Sequence, residues 1–134
     1  MRDGRTRKVE RAPHDESFAD YQTHYRATLV VLSGALAGSE YALERSATSL
    51  GRGPGVDCAF DDSTMSREHA AFEFSNGCFR VRDLGSMNGL FVNGGEVRAS
   101  ELKHGDRVKI GEHTFQFVVD DVEKPPRAYD VSDV

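Results

Sequence analysis

Tryptophan is absent, cysteine occurs twice, proline four times, and the 17 Lys and Arg side chains fall short of the 22 Asp and Glu. The resulting net charge of −5 argues against a general nucleic-acid binder, which needs surplus cations to neutralise phosphates. Residues 28–120 hold nine basic against thirteen acidic side chains, so any anion site in that stretch is local. No apolar run approaches the roughly 18 residues of a membrane span. The opening residues, Met1-Arg2-Asp3-Gly4-Arg5, lack the apolar segment of a signal peptide. A cytoplasmic protein without a membrane partner is the expectation. Cys58 and Cys78 show no Cys-x-x-Cys spacing and no metal spacing with His14, His24, His104 or His113. They read as small buried hydrophobes, and neither a metal nor any other cofactor is expected.

What is plentiful is glycine, 13 residues of it, set between short segments of β character. Thr28–Leu32 is a β-rich run that stops at Ser33-Gly34. Glu40–Glu44 alternates polar and apolar, and Thr48–Leu50 follows. Ala70–Phe74 and Cys78–Leu84 flank Asn76-Gly77, a dipeptide that favours a two-residue hairpin turn because both positions tolerate positive φ. Leu90–Val92 leads into Asn93-Gly94-Gly95, and Arg107–Ile110 and His113–Val119 are joined by Gly111-Glu112. No segment of this core carries ten residues of helical period. The pattern predicts an all-β fold, a two-sheet antiparallel β-sandwich of about ten or eleven strands. Residues 1–27 read as a polar N-terminal arm without fixed structure, 28–120 as the domain, and 121–134 as a C-terminal tail. Phe18, Tyr21 and Tyr25, spaced three and four apart, suit one face of a short helix within the arm.

Binding residues of a sandwich gather in the loops at one end. Three loops have unusual content: Gly51-Arg52-Gly53-Pro54-Gly55, Ser63–His69, and Gly85-Ser86-Met87-Asn88-Gly89. A phosphate ester carries about −1.5 to −2 charges and three acceptor oxygens. Arg52 offers a planar fork of N–H groups that matches such a group, Ser66 a hydroxyl, and Arg67 a second cation. The Asn88 amide is able both to donate to and to accept from an extended backbone. Ser66 and His69 also suggest a catalytic pair, but the sequence offers no third group to orient the histidine, and no enzyme activity is expected.

Five segments in order, Gly51-Arg52, Ser66-Arg67-Glu68-His69, Asp83-Leu84-Gly85-Ser86-Met87-Asn88-Gly89, Asn93-Gly94 and Gly105-Asp106…Ile110-Gly111, resemble the signature of the forkhead-associated (FHA) domain family across about residues 28–119. The resemblance implies a phosphothreonine-peptide-binding adaptor in Ser/Thr kinase signalling. Its ligand residues would be Arg52, Ser66, Arg67, Ser86 and Asn88, with Gly51, His69 and Gly89 supporting the loops. It implies as partner a phosphothreonine-containing protein, a Ser/Thr kinase or its substrate. Two positions depart from the common pattern: Met87 stands where many members have Thr, and Leu90 where a Thr often follows Asn-Gly. Met87 therefore keeps open a second reading, a sandwich that binds its partner without phosphate. Thr6, in a basic stretch, and Thr23 are candidate sites at which the arm is phosphorylated and docks in the domain's own groove.

Overall fold

The computed structural model describes residues 13–122. Eleven strands form two sheets. In chain order they are β1 (Tyr25–Val31), β2 (Glu40–Ala42), β3 (Ala47–Gly51), β4 (Cys58–Ala59), β5 (Ala70–Ser75), β6 (Cys78–Asp83), β7 (Leu90–Val92), β8 (Gly95–Val97), β9 (Ala99–Glu101), β10 (Arg107–Ile110) and β11 (His113–Asp121). One sheet runs β9-β6-β5-β3-β4 and the other β2-β1-β11-β10-β7-β8. Pairing is antiparallel except between β3 and β4, where Leu50 and Gly51 lie parallel to Cys58 and Ala59. The antiparallel sandwich is as the pattern predicts, and this short pair at one sheet edge is a local addition to it. The pair is possible because the chain leaves β3 through a loop and returns along the same edge instead of folding back as a hairpin.

Period-two alternation fixes which faces meet. Strand β10 buries Val108 and Ile110 while exposing Arg107 and Lys109. Strand β6 buries Phe79 and Val81 and exposes Arg80 and Arg82. Phe72, Phe79, Phe115, Phe117, Leu29, Leu50, Leu90 and Ile110 fill the interior, each at most 2% exposed. The Asn76-Gly77 turn has φ of 53° and 85°, the positive values the sequence predicts for that dipeptide.

The N-terminal arm differs from its expectation. Pro13–His24 is a helix, α1, and β1 begins at Tyr25 rather than at residue 28. Phe18 and Tyr21, two of the three residues anticipated as a helical face, pack on Phe74 at ring-centroid distances of 5.1 and 4.8 Å, and both also meet Phe79, whereas the third, Tyr25, opens β1 instead. These two phenylalanines flank the Asn76-Gly77 turn, so α1 caps that end of the sandwich with aromatic surface. At the C-terminal side β11 runs to Asp121, one residue past the expected boundary. Thr6 and the tail from residue 123 lie outside the described residues. Thr23 stands in the last turn of α1 with its hydroxyl donating to the Asp20 carbonyl at 2.6 Å. Among the described residues no helix is long and apolar enough to cross a membrane.

Candidate functional site: an anion-receptive rim at one end of the sandwich

The end opposite α1 is where β3 stops at Gly51, β5 starts at Ala70, β6 stops at Asp83 and β7 starts at Leu90. The three loops singled out in the sequence therefore converge there, and hydrogen bonds weld them together. The Arg52 and Gly53 N–H groups donate to the carbonyls of Ser66 and Arg67 at 3.0 and 3.1 Å. So close an approach explains Gly51: a Cβ there would lie 2.8 Å from the Ser66 carbonyl oxygen and nearer still to that of Arg67. The glycine beside Arg52 serves this backbone contact rather than a tight turn.

The guanidinium of Arg52 is held by one edge. Its Nε donates to the Met65 carbonyl at 3.0 Å, which orients the plane, while the terminal N–H groups have no partner among the described residues. Several arginines on the sandwich surface are paired, Arg45 with Asp57 at 2.7 Å, Arg82 with Glu73 at 2.8 Å and Arg80 with Glu101 at 3.6 Å. Among the described residues neither Arg52 nor Arg67 has a carboxylate partner. Both are exposed, and Arg67 joins Gly53, Pro54, Gly55 and Glu68 in lining a cleft of about 460 Å³. A depression of about 630 Å³ on the outer face of β7 and β10 is larger, but apart from Asn93 and Gly94 it contains no motif residue and none of the expected ligand residues.

Ser66 is positioned at two atoms. Its Oγ accepts from the Met87 N–H at 3.0 Å, and its own N–H donates to His69 Nδ1 at 3.1 Å. Among the described residues the Ser66 hydroxyl hydrogen has no acceptor, which leaves it available to a ligand oxygen. His69 is fully buried. Because Nδ1 accepts from Ser66, the ring proton sits on Nε2, which donates to the Gly89 carbonyl at 2.8 Å. Both ring nitrogens are thus consumed by backbone, and the imidazole has none left to activate the Ser66 hydroxyl. The pair braces two loops to each other.

The third loop is organised by Asp83. Its carboxylate accepts from the N–H groups of Gly85 and Ser86, each at 3.0 Å, and from the Ser86 hydroxyl. Burial pushes this carboxyl upward in pKa, but the Ser86 hydroxyl and the two N–H donors outweigh burial and leave it below the usual carboxylate range. Ser86 Oγ also accepts from the Gly89 N–H at 3.0 Å. Ser86, expected as a ligand contact, spends its hydroxyl inside its own loop. Gly89 has a φ of 90° and is packed under Glu96, where a Cβ would lie 2.7 Å from that carboxylate. Asn88 donates to the Thr64 carbonyl at 2.7 Å, which ties its loop to the second one and leaves the amide oxygen without a partner among the described residues. Met87 is 88% exposed and contributes its backbone N–H to Ser66, so the departure from Thr at this position costs the loop nothing structurally.

The Asn93-Gly94 turn follows the end of β7 away from the rim and is locked to Gly105-Asp106: Asn93 donates to Asp106 at 3.1 Å and accepts from the Arg107 N–H at 2.9 Å. At the rim itself, residues outside the ligand set also take part. Gly111, with a φ of 62°, leaves room for Asp62, Thr64 and Met65, each with an atom 2.8 Å from where its Cβ would stand. Asp62, Thr64 and His113 were not singled out in the sequence. The Asp62-Ser63-Thr64 spacing is an Asx-turn signal visible locally, but nothing local joins it to His113, 51 residues away.

A family model described as FHA domain matches residues 48–111, a segment that contains all three loops. The glycogen accumulation regulator GarA of Mycolicibacterium smegmatis is 45% identical over 92 residues, 69% of this chain and 58% of the regulator. The chain thus spans a little over half the length of the regulators of this kind that it matches. The oxoglutarate dehydrogenase inhibitor of Corynebacterium glutamicum is 39% identical over 97 residues, 72% of this chain and 68% of the inhibitor. Among solved structures, that of Mycobacterium tuberculosis EmbR in complex with a low affinity phosphopeptide has a TM-score of 0.64 at 32% identity, covering 69% of this chain and 24% of EmbR. With motif order, sandwich topology and this extent of identity in agreement, the chain belongs to the FHA domain family.

Proposed function

We propose that this protein is a phosphothreonine-peptide-binding adaptor in Ser/Thr kinase signalling, and that it acts by recruitment rather than by catalysis. The observation that carries the reading is the pairing of a pre-oriented guanidinium with a free hydroxyl. Arg52 is fixed through Nε with its outer N–H groups unspent, and its own N–H bonds the carbonyl of Ser66, whose hydroxyl hydrogen is also unspent. A dianionic ester docking there meets both at once with little ordering left to do, which is the condition for useful affinity from few contacts. Arg67 adds charge beside the cleft, and the unpartnered oxygen of Asn88 is suited to accept from the N–H of an extended peptide. Ser86 acts in this scheme as a loop brace.

Relatives named as a regulator and as an inhibitor support the non-enzymatic role, and a relative solved with a phosphopeptide supports the ligand class. The partner is a phosphothreonine-containing protein, the kinase itself or one of its substrates.

Calorimetry with one library-selected peptide in threonine and phosphothreonine forms tests the proposal. Binding of the phosphorylated form alone is expected, and Arg52→Ala is expected to weaken it at least a hundredfold, as loss of about 3 kcal/mol of charge-assisted hydrogen bonding requires. Equal affinity for both forms would instead support phosphate-independent interaction.

A further inference from the structure

The acceptors that orient Arg52 and Asn88 are backbone carbonyls of one short segment, Thr64-Met65-Ser66. Backbone carbonyls are only as well placed as the chain that carries them, so the question is what fixes this segment. The answer lies beneath it, in a side chain outside the family motifs quoted above. Asp62 is 6% exposed. Its Oδ1 accepts from the Thr64 N–H at 2.8 Å and from the Thr64 hydroxyl at 2.5 Å. Its Oδ2 accepts from the Glu112 N–H at 3.0 Å and from His113 Nδ1 at 2.7 Å. The Met65 N–H closes the turn by donating to the Asp62 carbonyl at 3.0 Å. The segment is thereby fastened to the β10–β11 turn, on the other sheet, and Gly111 keeps that turn slim enough to fit.

We propose that Asp62, with His113 as its partner, is a positioning residue for phosphopeptide binding: it sets the carbonyls that aim Arg52 and Asn88. The inference rests on the ligand reading given above and adds to it a residue that touches no ligand. Its chemistry explains why a carboxylate stands there. Four donors converge on two oxygens, and only an acceptor-only group satisfies all four. An asparagine in the same place must turn its NH₂ toward two N–H donors or toward the Thr64 pair, leaving donors opposed in a buried pocket. The carboxylate is the side chain that holds Thr64 and His113 together, and its charge is met by four donors before any phosphate arrives.

The test compares affinity with stability in the whole chain, using the selected phosphothreonine peptide and its unphosphorylated twin. Asp62→Asn is expected to weaken phosphopeptide binding at least tenfold at a temperature where it is folded, and to shift the Arg52 Nε–H resonance. His113→Leu should weaken binding likewise, while His113→Asn, which keeps a donor near the Nδ1 position, should restore most of the affinity. Tyr21→Leu, at the opposite end, serves as the stability control: it should lower Tm without changing affinity. If the wild type fails to distinguish the two peptides, the ligand reading itself is wrong. If the wild type distinguishes them but Asp62→Asn and His113→Leu bind within twofold of it, the positioning role is overturned. Should Asp62→Asn not fold, the His113 pair decides, with the Arg52 Nε–H resonance read in His113→Leu, where an unshifted resonance and unchanged affinity overturn the role.

Discussion

A single imidazole shows how much a residue in this rim is asked to do. His69 supplies an acceptor to one loop and a donor to another while fully buried, so its removal leaves the Ser66 N–H and the Gly89 carbonyl without partners and opens a cavity. We expect His69→Ala to cost about 3 kcal/mol of stability, a sum of unsatisfied groups and lost packing, read as a lower midpoint in urea unfolding. Arg52→Ala is the opposite case. Its side chain is exposed, so the sandwich should keep its stability within about 0.5 kcal/mol even as phosphopeptide affinity is lost. Measuring both variants by both assays separates brace from ligand contact. Met87 belongs with neither, because its backbone carries its structural role.

At the scale of elements, α1 is the addition that the β pattern hides. Its inward residues Phe18 and Tyr21 rest on Phe74 and Phe79, the residues beside the hairpin turn, which would otherwise expose aromatic surface at the mouth of the core. Burial raises the pKa of the Tyr21 hydroxyl, helped by the nearby Tyr25 and Cys78, as expected for a phenol taken into an apolar contact. Tyr21→Ala should destabilise the domain by about 2 kcal/mol, less than a fully buried aromatic would cost because the ring is only half covered. Calorimetric Tm reads this directly. Because the rim is at the other end of the sheets, phosphopeptide affinity of the folded protein should not follow.

For the molecule as a whole, Asp62, which fastens the rim segment to the opposite sheet, is expected to contribute to the response to acid. Burial alone would raise this carboxyl, but the Thr64 hydroxyl, His113 and the N–H groups of Thr64 and Glu112 prevail and hold it far below the ordinary carboxylate range. A depressed folded-state value means that the stabilisation is fully present above the unfolded carboxyl's pKa, about 3.9. It is lost as pH falls from there through the folded value. Asp57 and Asp83 are shifted the same way, Asp57 chiefly by the Ser49 N–H and Arg45, and their contributions vanish over the same range. Tm should therefore hold from neutrality down to about pH 4–5 and fall below it. In Asp62→Asn the acid limb should be shallower. An equally steep limb in that variant would mean other carboxylates govern acid unfolding.

The sequence by itself determined whatever a short stretch of chain decides locally. Alternation assigned the faces of β6 and β10, Asn-Gly chemistry placed the hairpin turn, and the order of five motifs pointed to three loops that converge, with Arg52 and Ser66 as candidate ligand residues. Even the aromatic spacing of Phe18 and Tyr21 was legible as a helical face, though not what that face would rest upon. Tertiary structure decided the rest, because it depends on distance in space rather than along the chain. Folding alone turned Ser86 inward to Asp83, made Gly51 the point where two backbones touch, set β4 parallel to β3, and joined Asp62 to His113 across 51 residues. Local sequence specifies dihedrals and polarity, but the partner of a buried carboxylate is chosen by where two sheets close on each other, and no window of sequence contains that meeting.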